Sequence, residues 1–166
     1  MISSIDTCFL IDWCRYSKRG VLEKIFDYCF IVDDVLREIK SDESLAYVSS
    51  LLSKGFLVFY PFKSELEPIV RRIIDLSVGD PRIRVLDPPE AYAFAIGIRE
   101  NTIVLTENNG VLNLVRLYSE FSSIRVWRSF ELLREAYKRG LINNFEDEVK
   151  IYERETGHRF PKIPRG

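Results

Sequence analysis

The feature that most constrains this chain is a repeated change of hydrophobic period. Short, largely apolar runs at residues 2–5, 29–32, 56–60, 102–106 and 124–127 are each followed by segments whose apolar residues fall at helical spacing. Phe9, Leu10, Trp13 and Cys14 form the first such stripe, and Gly20 interrupts it before Val21, Leu22, Ile25 and Phe26 resume it. Asp33 or Asp34 starts a helix carrying Val35, Leu36 and Ile39, and Leu45, Val48, Leu51 and Leu52 mark another that stops at Gly55. Leu66, Ile69, Val70, Ile73 and Ile74 form a long amphipathic stripe ended by Gly79-Asp80-Pro81. A helix opens at Asp87-Pro88-Pro89-Glu90, one carries Val111, Leu112, Leu114 and Val115, and two close the chain near 130–137 and 145–154. Strands that alternate with helices and lack a polar face belong to a mostly parallel sheet covered on both sides. The expectation is an α/β three-layer sandwich with a central twisted sheet of four to five strands.

A chain of 166 residues suits one domain, expected over residues 1–157 with closing helices at about 129–157. Residues 158–166 read as an extended or partly disordered tail. No stretch approaches the roughly 18 to 20 apolar residues of a membrane span, and the first residues lack a basic start and apolar core, so no membrane and a cytoplasmic location are expected. The net charge of −1 leaves no global field to attract a polyanion. Three cysteines without a C-x-x-C pair argue against a disulfide framework or structural zinc and read as buried thiols. The single histidine, His158, falls in the polar tail. Ionic chemistry must therefore come from carboxylates.

In a parallel α/β sheet, ligands sit outside the carboxyl ends of the strands. Asp6 ends the first strand, Glu38 lies one turn into the helix after the second, Glu90 opens a helix, and Glu107 follows the strand 102–106. Carboxylates from several elements suit a hard, oxygen-seeking cation such as Mg²⁺ or Mn²⁺, which can activate water and stabilise charge on a phosphodiester. Each also has a structural explanation. Asp6 fits a helix cap, Glu38 a pair with Arg37 or Lys40, Glu90 a D-x-x-E capping box with Asp87, and Glu107 a loop charge. Residues 6–13 contain no glycine, which disfavours a Rossmann-type phosphate loop. A phosphatase acting on small esters would need a nucleophile and basic clamp that are not evident.

Four segments resemble PIN-domain proteins, in order and over nearly the whole chain. Ile5-Asp6-Thr7-Cys8-Phe9-Leu10-Ile11 is similar to the family's opening D-[ST]-x-x-L-[IL]. Val35-Leu36-Arg37-Glu38 resembles the helix carrying its second acid, and Glu90-Ala91-Tyr92-Ala93 resembles G-E-A-x-A, which brings a third. Ile103-Val104-Leu105-Thr106-Glu107-Asn108 is similar to the L-T-x-D strand end. Residues 133–142 resemble the closing helices of one PIN subgroup.

The resemblance implies a metal-dependent endoribonuclease, the toxin of a toxin–antitoxin pair, with RNA and an antitoxin protein as partners and a homodimeric state. It makes Asp6, Glu38 and Glu90 ligands of Mg²⁺ or Mn²⁺, Glu107 a catalytic partner, and Thr7, Thr106 and Asn108 supporting groups. Asn108 stands where the family has aspartate, Pro89 where it has glycine, and Tyr92 where many members have another acid. A PIN-type module that holds RNA or a protein without cutting is the alternative. Arg15, Lys18, Arg19, Arg82 and Arg84 are candidate phosphate contacts. Tyr16 and Trp127 are candidate base-stacking groups, with core packing the simpler role for Trp127. On this reading Asp6→Asn abolishes cleavage and leaves thermal unfolding nearly unchanged.

Overall fold

The computed structural model describes residues 1–161. Five strands, β1 (Ile2–Ile5), β2 (Tyr28–Ile31), β3 (Leu57–Phe59), β4 (Ile103–Leu105) and β5 (Val126–Trp127), form one sheet in the order β3-β2-β1-β4-β5. Every pairing is parallel: Ser3 lies beside Cys29 and Ile103, and Leu105 beside Trp127. Helices flank the sheet, so the expected parallel α/β architecture is present. They are α1 (Thr7–Arg15), α2 (Val21–Ile25), α3 (Asp34–Glu38), α4 (Asp42–Ser53), α5 (Lys63–Gly79), α6 (Pro88–Glu100), α7 (Asn109–Leu117), α8 (Ser129–Lys138) and α9 (Phe145–Thr156).

The central strand β1 reads I-S-S-I, and its two serines are completely buried. Each donates a hydrogen bond, Ser3 Oγ to Cys29 Sγ at 2.7 Å and Ser4 Oγ to the Ala93 carbonyl at 2.7 Å. Burial without such partners would cost a few kcal/mol per hydroxyl. The bonds tie β1 to β2 and to α6, which crosses β1 and β4. That helix comes very close to β4: a Cβ on Gly97 would stand 2.2 Å from Val104 Cγ2.

Some expectations are corrected. The third, fourth and fifth strands are shorter than their apolar runs, although Phe56 O, Tyr60 N, Thr106 N and Arg125 O still hydrogen-bond to neighbouring strands. The helix after β2 is a single turn that ends at Glu38. Cys14 and Cys29 are buried thiols as expected, but Cys8 is exposed. Tyr16 is 1 % exposed, packed edge-on against Trp13 and Tyr152, so it presents no face to a base. Trp127 packs against Phe26 at 5.9 Å, in line with a core role.

The first four residues of the expected tail also fold back. Gly157, at φ 76°, ends α9 in the left-handed conformation, a geometry that favours glycine. Phe160 then packs on Phe130 and Tyr152 at 5.5 and 5.7 Å. Residues 162–166, with Lys162 and Arg165, lie outside the described residues. Among the described residues no helix is long and apolar enough to cross a membrane.

Candidate active site at the carboxyl ends of β1 and β4

The chain leaves β1 toward β2 on one side of the sheet and leaves β4 toward β5 on the other. The carboxyl ends of β1 and β4 therefore flank the topological switch point, where open α/β sheets leave a crevice. Asp6 follows β1, and Thr106, Glu107 and Asn108 follow β4.

Asp6 caps α1, its Oδ1 accepting from Phe9 N at 2.7 Å, which is the capping role foreseen for it. Its Oδ2 accepts a short hydrogen bond from Thr106 Oγ1. The residue is wholly buried, and burial pushes its pKa from 3.8 up to about 7. The two hydrogen bonds oppose that rise, and the fields of Glu107 and Asp87 add to it.

Glu90 is also buried. Its Oε2 accepts from Asp87 N at 3.1 Å, the back-reaching half of a capping box, so its structural role is real. Burial, followed by the shared hydrogen bond with the Asp87 carboxyl, lifts its pKa to about 7, while the Asn108 side chain opposes the rise. In both, burial is the first cause of the rise, and a neighbouring carboxylate adds to it.

Cys8, in the first turn of α1, gauges the reach of this field. Burial first, and then Asp6, Glu90, Glu38 and Asp87, raise its thiol to about 11. The fields of those four acids therefore all reach Cys8. Glu38 is exposed and takes no hydrogen bond or ion pair among the described residues. The pairing foreseen for it with Arg37 is absent, because Arg37 turns to Asp33 and Asp34.

Glu107 is engaged elsewhere. Its Oε1 accepts from Ser129 N at 2.7 Å in the first turn of α8, and its Oε2 lies 3.3 Å from His158 Nε2. His158 Nδ1 is 4.0 Å from Asp12 Oδ2 on the other side. Burial raises the Glu107 pKa against these partners. Glu107 thus moors α8 and the returning tail, and reaches Asp6 only through its field.

Asn108, expected as a supporting group, caps α7, its Oδ1 accepting from Gly110 N at 2.6 Å. Thr106 fits its supporting role, receiving Asn108 N at 3.0 Å while donating to Asp6. Thr7 is buried, and its hydroxyl has no hydrogen bond.

Asp87 and His158 belong to this neighbourhood, although sequence reasoning left them out. Asp87 was visible only as a helix cap. His158 is distant along the chain and carried no local signal.

The expected phosphate contacts are mostly committed. Arg15 donates to the Thr156 carbonyl at 3.5 Å, and Lys18 is paired with the buried Glu148. Arg19 donates to the Cys14 carbonyl at 2.8 Å and covers the Tyr47 ring at 4.7 Å. Arg82 chelates Asp80 at 2.9 and 2.6 Å. Of the five, Arg84 alone has no ion pair among the described residues. A cleft of about 700 Å³ along α5, lined by Pro68, Arg72, Leu76, Pro81 and Tyr118, contains none of the strand-end acids.

The chain matches no protein-family model, and no curated protein matches it. The site is therefore read from its own chemistry. Asp6, Asp87, Glu90 and Glu38 offer only oxygen, the donor type a hard cation prefers. Among the described residues no three acid, histidine or cysteine side chains are gathered as a ready ligand shell.

Proposed function

We propose that this protein is a PIN-type, divalent-metal-dependent endoribonuclease that hydrolyses RNA phosphodiester bonds at the β1/β4 crevice. The observation that supports it is Asp6 at the carboxyl end of β1, wholly buried with a raised pKa and within the field of Asp87, with Glu90 likewise buried and raised. The RNA substrate, the toxin role with an antitoxin partner, the homodimer and the cytoplasmic setting rest on the motif resemblance.

Asp6, Glu90 and Glu38 would hold Mg²⁺ or Mn²⁺, with Asp87 beside them. A bound cation of this kind supplies an acidified water and stabilises charge on the phosphate. The chain's part is placement. Thr106 and Phe9 N fix the Asp6 carboxylate, and Asp87 N fixes Glu90. Without a cation, the raised pKa values mean that Asp6 and Glu90 carry protons for much of the time near neutral pH.

A second reading, a PIN-type module that binds without cutting, is favoured by one observation. Glu107, one of the four candidate acids, is occupied with mooring α8, and its neighbour Asn108 is occupied with capping α7. Calorimetric titration of Mn²⁺ into the protein and its Asp6→Asn variant tests the proposal. Saturable binding lost in the variant is expected, followed by metal-dependent cleavage of single-stranded RNA that the variant does not perform. No binding up to millimolar Mn²⁺ would overturn the nuclease reading in favour of the binding module.

A further inference from the structure

Both oxygens of Glu107 are taken by parts of the chain that arrive late. Oε1 accepts from Ser129 N at 2.7 Å, and Oε2 stands 3.3 Å from His158 Nε2. Ser129 belongs to α8, which follows β5 directly. His158 lies beyond α9, in a segment without regular structure. Glu107 itself follows Thr106, whose hydroxyl bonds Asp6, and its field already reaches Asp6. The imidazole thus stands against an acid at the edge of the crevice.

The segment carrying His158 is held by side chains. Among the described residues no main-chain to main-chain hydrogen bond ties residues 158–160 to the rest of the fold. His158 Nδ1 is 4.0 Å from Asp12 Oδ2, which makes one anchor. Phe160 makes the other: its ring rests on Phe130 and Tyr152, and its N–H donates to Glu153 Oε1 at 2.8 Å. Arg159, between the anchors, is exposed. Pairs between partly exposed groups contribute little to stability. Gly157, at φ 76°, lets the chain turn back after α9 without the penalty of a Cβ. Two anchors on a glycine pivot make a segment that can lift while α8 and α9 stay in place.

We propose that Gly157–Phe160 is an autoinhibitory strap, in which His158 occupies Oε2 of Glu107 and keeps that acid from the β1/β4 crevice until the strap lifts. Lifting frees Oε2 while Oε1 can remain on Ser129 N, and the crevice gains an acid. The gain in cation affinity rests on the proposed metal reading, whereas the restraint on Glu107 does not. The acid after β4 is then present but withheld, and the residue that withholds it is the single histidine of the chain.

Two full-length variants lift the strap at different anchors. His158→Ala removes the contact with Glu107, and Phe160→Ala loosens the segment without touching Glu107. Each is combined with Glu107→Gln. The first readout needs no metal. Cys8 is an exposed thiol within the field of the crevice acids, and Cys14 and Cys29 are buried, so alkylation by uncharged iodoacetamide reports the charge around Cys8. A carboxylate released into the crevice lowers the thiolate fraction there. Glu107→Gln is therefore expected to speed alkylation at least about two-fold more in either strap variant than in the wild-type background. Mn²⁺ titration is the second readout, and both strap variants are expected to bind about three-fold tighter or more, a gain that Glu107→Gln removes. A Glu107→Gln effect on Cys8 that is the same with and without the anchors, or Mn²⁺ binding no tighter in the strap variants than in the wild type, overturns the strap. Effects confined to His158→Ala overturn it too, because they leave only a local pair between His158 and Glu107. Absence of Mn²⁺ binding in every one of these proteins overturns the metal reading, and the alkylation rates then decide the strap alone.

Discussion

Asp6→Asn should stabilise the metal-free protein at alkaline pH, and the gain should depend on pH. The gap between about 7 in the folded state and 3.8 unfolded corresponds to about 4 kcal/mol at about 1.4 kcal/mol per pH unit. The sign follows from proton binding. The folded state holds the Asp6 proton more tightly, so folding carries no penalty below the unfolded pKa. The penalty grows as pH rises from 3.8 and is complete above about 7. Asparagine removes it at every pH. Against this, Thr106 Oγ1 already accepts from Asn108 N, and its proton now goes to Asp6. An asparagine nitrogen facing it would leave that hydroxyl without an acceptor, at about 2 kcal/mol. The variant should then match the wild type near pH 5, in keeping with the unchanged unfolding expected from sequence. At pH 8 it should be more stable by about 2 kcal/mol, or roughly 4 to 8 °C. Urea titrations at both pH values, with chelator present, measure this. An offset between the proteins that is the same at pH 5 and pH 8 would refute the reasoning, because it would mean that Asp6 does not resist ionisation.

Two other perturbations probe the frame around the site. Gly110→Ala should cost about 1 to 3 kcal/mol, since its Cβ meets a main-chain carbonyl at 2.3 Å that cannot easily yield; an unchanged urea midpoint would show that the loop at Arg84 is not held against α7. Lys18→Met should cost about 1 to 3 kcal/mol by leaving the Glu148 carboxylate, 4 % exposed, without its cation. Arg84→Ala should change stability by no more than about 0.5 kcal/mol, and equal midpoints for these last two variants would count against the Lys18–Glu148 pair.

The sheet was legible because its strands are short apolar runs, and the acids at their ends were legible because a parallel sheet has only one functional edge. The partners of those acids were not. Glu107 looks like a catalytic acid from its place after β4, but which way it faces depends on α8, whose first turn offers a free N–H, and on a tail that returns after Gly157. The intramolecular partners of the basic residues were hidden for a similar reason. Arg15, Lys18 and Arg19 follow the first helix, yet Lys18 is drawn to Glu148 of α9, a contact across 130 residues that leaves no local pattern.

The departures at Asn108 and Glu107 have a common physical consequence. A crevice holding four ionised carboxylates beside a buried Asp6 would be strongly self-repelling without a cation. Here one of the strand-end positions is a neutral amide, and another acid is turned toward a helix N-terminus and His158, both of which favour its charge. What remains is Asp87, whose field reaches Asp6, and Glu90, whose carboxyl accepts from Asp87 N. The amide at position 108 and the turning of Glu107 toward α8 therefore limit the repulsion that adds to the burial penalty on Asp6. An amide at position 108 keeps the side-chain cap on α7, through Gly110 N, without adding a further charge beside the buried Asp6.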